Sequence, residues 1–118
     1  FLPAQLAAAK ALNLDKSWYT QLNDVYAKRR EKVFEIMDLL GCEYAQNQVG
    51  LFVWAKIPNQ YKDCYEVCDK ILYNANVFIT PGGIFGTAGE EYIRISLCAT
   101  EPVFEEAINR IKTKLINK

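Results

Sequence analysis

The chain has 118 residues, 51% hydrophobic and 24% charged, which suits one globular domain with a single sizeable core. Lysine plus arginine equals aspartate plus glutamate at 14 each, so no net field attracts nucleic acid or an acidic membrane surface. There is no histidine, which excludes histidine bases and Cys/His zinc sets. No apolar run approaches the roughly 20 residues of a membrane helix, and no signal peptide is legible, which predicts a soluble cytoplasmic protein.

The chain starts at Phe1 without a methionine and opens on an alanine-rich stretch from Pro3 to about Leu12. This reads as a short helix with a small-residue face, belonging to a neighbouring unit that precedes the chain. From Asp15 to Leu40, Trp18, Leu22, Val25, Val33, Ile36 and Leu40 recur at helical spacing, and Gly41 stands where a left-handed C-cap is wanted. At roughly 39 Å such a helix outruns the needs of a compact domain, so it is expected to bridge two units.

The period then changes. Leu51, Val53, Ala55 and Ile57 alternate with Phe52, Trp54 and Lys56 before Pro58, which predicts a strand, and a shorter strand around Glu43 to Gln46 is expected to pair with it. From Tyr61 to Ala75 an i, i+3, i+4 stripe predicts a helix that turns Cys64 and Cys68 to the core. The i, i+4 spacing of those two and the isolation of Cys42 and Cys98 favour free thiols of a reducing compartment over a metal site or disulfides. Val77 to Thr80 reads as a short buried strand, Glu91 to Cys98 as another, and a last helix begins near Thr100-Glu101-Pro102.

Three features bear on chemistry. The loop from Pro81 to Gly89 holds four of the six glycines. It is neither a Walker loop nor a dinucleotide fingerprint, so it is either an anion-approaching loop or a plain strand connection that needs positive φ. Arg94 lies between Ile93 and Ile95 in a strand, on a face with Tyr92, Ser96 and Cys98. Those neighbours are not the lysine-rich set of a solvated face, and a guanidinium in a pocket presents a planar fork that matches a carboxylate. Lys28-Arg29-Arg30-Glu31-Lys32 on the long helix reads as a solvated face.

The segments Gly50-Leu51-Phe52-Val53-Trp54 and Pro81-Gly82-Gly83-Ile84-Phe85-Gly86-Thr87-Ala88-Gly89-Glu90-Glu91-Tyr92-Ile93-Arg94-Ile95-Ser96 together resemble the C-terminal region of class I/II aminotransferases, which use pyridoxal phosphate. The order of features agrees, including Tyr26 and Arg29-Arg30 on the long helix. The resemblance implies an α+β fold, a long helix plus a mostly antiparallel sheet packed by helices. It divides the chain into residues 1–14, a helix of the large domain, and residues 15–118, the small C-terminal domain. It gives Arg94 the α-carboxylate of the amino-acid or 2-oxo-acid substrate and suggests Gly50, Leu51 and Phe85 as pocket walls.

In that family the lysine that forms the Schiff base, and the groups that hold the cofactor, lie upstream. The resemblance therefore implies a parent enzyme, usually a homodimer, whose large domain binds pyridoxal phosphate. The 118-residue piece by itself is expected to bind no cofactor and to be inactive. The rival reading is a non-catalytic ferredoxin-like module that binds an amino acid or mediates pairing, or a purely structural domain with Arg94 in a surface salt bridge.

Overall fold

The computed structural model describes residues 1–116. Helix α1 (Leu2–Leu12) leads into the 24-residue helix α2 (Lys16–Leu39), then strand β1 (Phe52–Lys56), helix α3 (Cys64–Ala75), strand β2 (Thr80–Pro81), strand β3 (Tyr92–Ser96) and helix α4 (Glu101–Ile111), which widens into a π-type turn. The sheet is antiparallel in the order β1-β3-β2. Three strands in that order do not make the split β-α-β layer of a ferredoxin-like fold.

Caps set the helix limits. Hydrogen bonds from the Ser17 side chain and amide hold the Asp15 carboxyl below the usual carboxylate range, and α2 is capped at Leu40 with Gly41 following at φ +70°. Helix α3 begins at Cys64, later than the stripe from Tyr61 predicts. Asp63 caps it by accepting from the Tyr65 and Glu66 amides, and that leaves Tyr61 and Lys62 outside.

The core lies where the C-terminal half of α2, together with α3 and α4, covers one face of the sheet. Val33, Ile36 and Met37 of α2 meet Val53, Ala55, Ile93, Leu97 and Ile111, all buried. From Phe52 onward the alternation in β1 is as expected, with Val53, Ala55 and Ile57 inward and Phe52 and Trp54 on the opposite face, whereas Leu51 lies before the strand and is exposed. Cys64 and Cys68 face the core, and all four cysteines are free thiols.

Two expected strands are smaller than the sequence suggests. Around Glu43 only a single bridge to Lys56 forms, in place of a strand to Gln46. The run from Val77 to Thr80 pairs only at Thr80 and Pro81, opposite Arg94 and Ile93. Asn76, left-handed at φ 53°, turns the chain out of α3 so that Ile79 is buried while Phe78 stands in solvent, and Pro81 has no amide to continue the ladder.

The molecule is elongated, 53 × 31 × 24 Å, because α1 and the first half of α2 project from the core. No residue of α1 is buried, and Trp18, Tyr19, Leu22 and Val25 of α2 are all exposed. No helix among the described residues is long and apolar enough to cross a membrane.

Candidate functional site

Arg94 sits at the centre of the middle strand, paired with Trp54 on β1 and Thr80 on β2. Period-two geometry puts it on the sheet face away from the helices, beside Phe52 and Trp54. The Pro81–Gly89 loop crosses the same face as two short 3-10 turns, Gly82–Phe85 and Thr87–Gly89. Its path demands a glycine at 82, where a Cβ would stand 2.5 Å from the Gly89 carbonyl oxygen and 2.6 Å from that of Tyr92. The loop is thereby pressed onto β3, and Phe85 is carried to Arg94.

The result is an aromatic corner. The guanidinium carbon of Arg94 lies 4.2 Å from the ring centre of Phe52, 4.1 Å from that of Phe85 and 5.8 Å from that of Trp54. Trp54 and Phe85 meet edge to face at 5.5 Å. Ring faces take the flat sides of a guanidinium and leave its N–H edge for an in-plane acceptor. Among the described residues, ion pairs are made by Lys32, Lys56, Arg110 and Lys112, and no carboxylate or carbonyl accepts from the Arg94 side chain. A half-buried cation without an internal counter-charge is suited to an external anion, and its fork to a carboxylate.

Of the four residues expected at the site, Arg94 and Phe85 are brought together. Gly50 and Leu51 stand just before β1, where Gly50 has φ +85° and the Leu51 carbonyl accepts from the Leu97 amide at 2.8 Å. Phe52 and Trp54 were not singled out as site residues. The signal was present, since alternation places both opposite Val53 and Ala55. Their pairing with β3 depends on register, which one strand alone does not reveal.

The basic run on α2 is not wholly a solvated face. Lys28 and Glu31 are exposed, but Arg29 and Arg30 are half-buried. Arg29 Nη1 donates to the Leu97 carbonyl at 3.1 Å and Arg30 Nη2 to the Gly50 carbonyl at 3.0 Å. Both turn inward because the two strand ends they reach offer carbonyls that the sheet does not use.

A groove of about 650 Å³ also touches Arg94, between the Asn76–Thr80 segment, the end of β3 and α4. Its walls include Ile79, Thr80, Ser96 and Phe104, but none of the three rings around the guanidinium. The groove opens because β2 stops pairing at Thr80. The groove and the aromatic corner therefore meet at Arg94, with the three rings on the corner side only.

An α+β domain with a long leading helix, a small antiparallel sheet and an arginine on its central strand is the architecture of an aminotransferase small domain. The chain belongs to the class I and II aminotransferases, whose family profile matches residues 2–111. It is 35% identical over 111 residues to an LL-diaminopimelate aminotransferase of Oleidesulfovibrio alaskensis, a match that covers 94% of this chain and 28% of that protein. A putative aminotransferase of Rhizobium meliloti is 32% identical over 114 residues, with 95% and 28% covered. Among solved structures, an aromatic aminotransferase from Pyrococcus horikoshii superposes with a TM-score of 0.77 at 30% identity, covering 92% of this chain and 30% of that one. The chain thus spans between a quarter and a third of the relatives it matches.

Proposed function

We propose that residues 15–118 are the C-terminal small domain of a pyridoxal-phosphate-dependent aminotransferase that moves an amino group between an amino acid and a 2-oxo acid. Arg94 holds the substrate α-carboxylate. The observation that carries this is the unpaired guanidinium of Arg94 set over Phe52 and Phe85. Relatives named for LL-diaminopimelate and for aromatic amino acids act on different side chains. The α-carboxylate is common to both, and it is the group a guanidinium fork recognises.

The lysine on this sheet face does not fit the Schiff-base role. Lys56 shares the sheet face with Phe52 and Trp54, yet it is paired with Glu91 at 3.1 Å, which raises its pKa further above neutrality. A lysine that attacks a carbonyl needs the opposite shift. Pyridoxal phosphate, an electron sink when bound, is accordingly assigned to a large domain outside residues 1–118, to which helix α1 also belongs. The exposed apolar side chains of Trp18, Leu22 and Val25 support such a neighbour, and the parent is read as a homodimer. Four free thiols suit a reducing cytoplasm.

In this account Arg94 orients the substrate and supplies no proton. Two parallel N–H···O bonds fix the carboxylate, and the rings of Phe52, Trp54 and Phe85 keep water from the guanidinium faces. The 118-residue chain alone is inactive. Assaying the complete parent with pyridoxal phosphate, a panel of amino acids and a 2-oxo acid acceptor tests the reading; failure to transfer an amino group from any donor would contradict it.

A further inference from the structure

The two arginines of α2 reach the strand ends that frame Arg94, and neither contact belongs to the sheet's own ladder. Arg30 binds the Gly50 carbonyl, where the chain is left-handed and turns into β1. Two residues later comes Phe52, whose ring lies under the Arg94 guanidinium. Arg29 binds the Leu97 carbonyl, while the Leu97 amide donates to the Leu51 carbonyl, so the start of β1 and the end of β3 are joined to each other and both to α2. The Nε atoms of Arg29 and Arg30 are buried without an acceptor among the described residues. Burying guanidinium donors unpaired opposes folding, which a surface arginine avoids by pointing outward.

We infer that Arg30, with Arg29 beside it, is a positioning residue for the substrate-carboxylate arginine. It pins the Gly50–Leu51 turn, and through it the Phe52 ring that fixes the plane of the Arg94 guanidinium. The inference rests on the carboxylate role of Arg94 for its functional meaning, but its geometry can be read independently. Arg29 and Arg30 touch neither substrate nor the reacting atoms, so neither is a catalytic residue.

The test is NMR of the 118-residue chain. Protons of the Arg94 side chain lie over two aromatic rings and carry a ring-current upfield shift that reports the stacking directly. Arg30→Met keeps the buried stem but removes the donor; it should return the Arg94 signals most of the way to free-arginine positions while the core methyl signals stay dispersed. Arg30→Lys, which keeps one donor for Gly50, should retain the shift. An Arg94 signal unmoved in R30M would overturn the inference. Should R30M not fold, Arg30→Gln, whose amide is too short to reach Gly50, is read in the same way. Unfolding of both would also overturn the inference, because the bond would then hold the fold and not the site. Titrating 2-oxoglutarate into the unsubstituted chain separates the two claims. Arg94 signals that keep the stacking shift but ignore the 2-oxo acid would sink the carboxylate role and leave the brace standing.

Discussion

The guanidinium carbon of Arg94 and the ring of Phe85 lie 4.1 Å apart, the shortest cation–ring contact among the described residues and one made across a loop. Phe85 is half exposed, so it contributes little to the core. Phe85→Ala should therefore leave thermal stability nearly unchanged. In the parent enzyme it should raise KM for amino-acid donors by about 3- to 10-fold, the scale of one cation–π contact. Steady-state kinetics beside a melting curve check both halves.

The loop that delivers Phe85 is held by close backbone packing. Gly82→Ala forces a Cβ to within 2.6 Å of two carbonyl oxygens and should cost about 2 kcal/mol or more. Gly50→Ala meets nothing within 4 Å and bears only the strain of φ +85°, about 1 kcal/mol. Urea unfolding should rank the pair in that order.

Thiol chemistry separates Cys98 from the rest. Cys98 is exposed, whereas Cys42, Cys64 and Cys68 are buried. A thiol-specific colour reagent should label Cys98 rapidly in the native chain and the other three only after denaturation. Burial also pushes the Cys68 thiol up to about 12 and that of Cys42 to about 11 from an ordinary 9.0. Above pH 9 the unfolded chain releases these protons while the folded chain keeps them, so stability falls as pH rises from 9 toward 12. The melting temperature should drop over the lower part of that window, less steeply in Cys68→Val.

The two aspartate caps should differ in reach. Asp63 accepts two amide hydrogen bonds at the head of α3, which packs on the core, so Asp63→Ala should lower global stability by about 1 kcal/mol. Asp15 caps a stretch of α2 with no buried residue before Val33. Asp15→Ala should fray that end, seen as faster amide exchange near Ser17, with little global effect.

How far the sequence carries is clearest at particular residues. The alternation of β1 from Phe52 onward, the Val33 and Ile36 end of the α2 stripe and the left-handed turn at Gly41 are local patterns that formed as read, whereas Trp18, Leu22 and Val25 of the same stripe stay exposed. The strand expected over Val77–Thr80 did not extend, because an apolar triplet shows period but not which of its residues finds a partner. Asn76 redirects the chain and leaves Phe78 outside. The mid-strand placement of Arg94 was legible from the alternation around Ile93 and Ile95. Its rings were not, since Phe52 and Trp54 reach it only through the β1–β3 register. Arg29 and Arg30 failed as a solvated face for the same reason. Their acceptors, the Leu97 and Gly50 carbonyls, lie 68 and 20 residues along the chain.

The central claim is that Arg94 holds the substrate α-carboxylate, and kcat/KM of the complete parent carrying Arg94→Ala tests it most directly. Loss of a charge-assisted bidentate contact should lower kcat/KM by about 100-fold for every amino-acid donor, roughly 3 kcal/mol, with the absorbance of the bound cofactor unchanged. Arg94→Lys should recover only part of that loss, since a lysine cannot supply the two-point fork. Unaltered turnover in Arg94→Ala, or a loss confined to one donor side chain, would contradict the account.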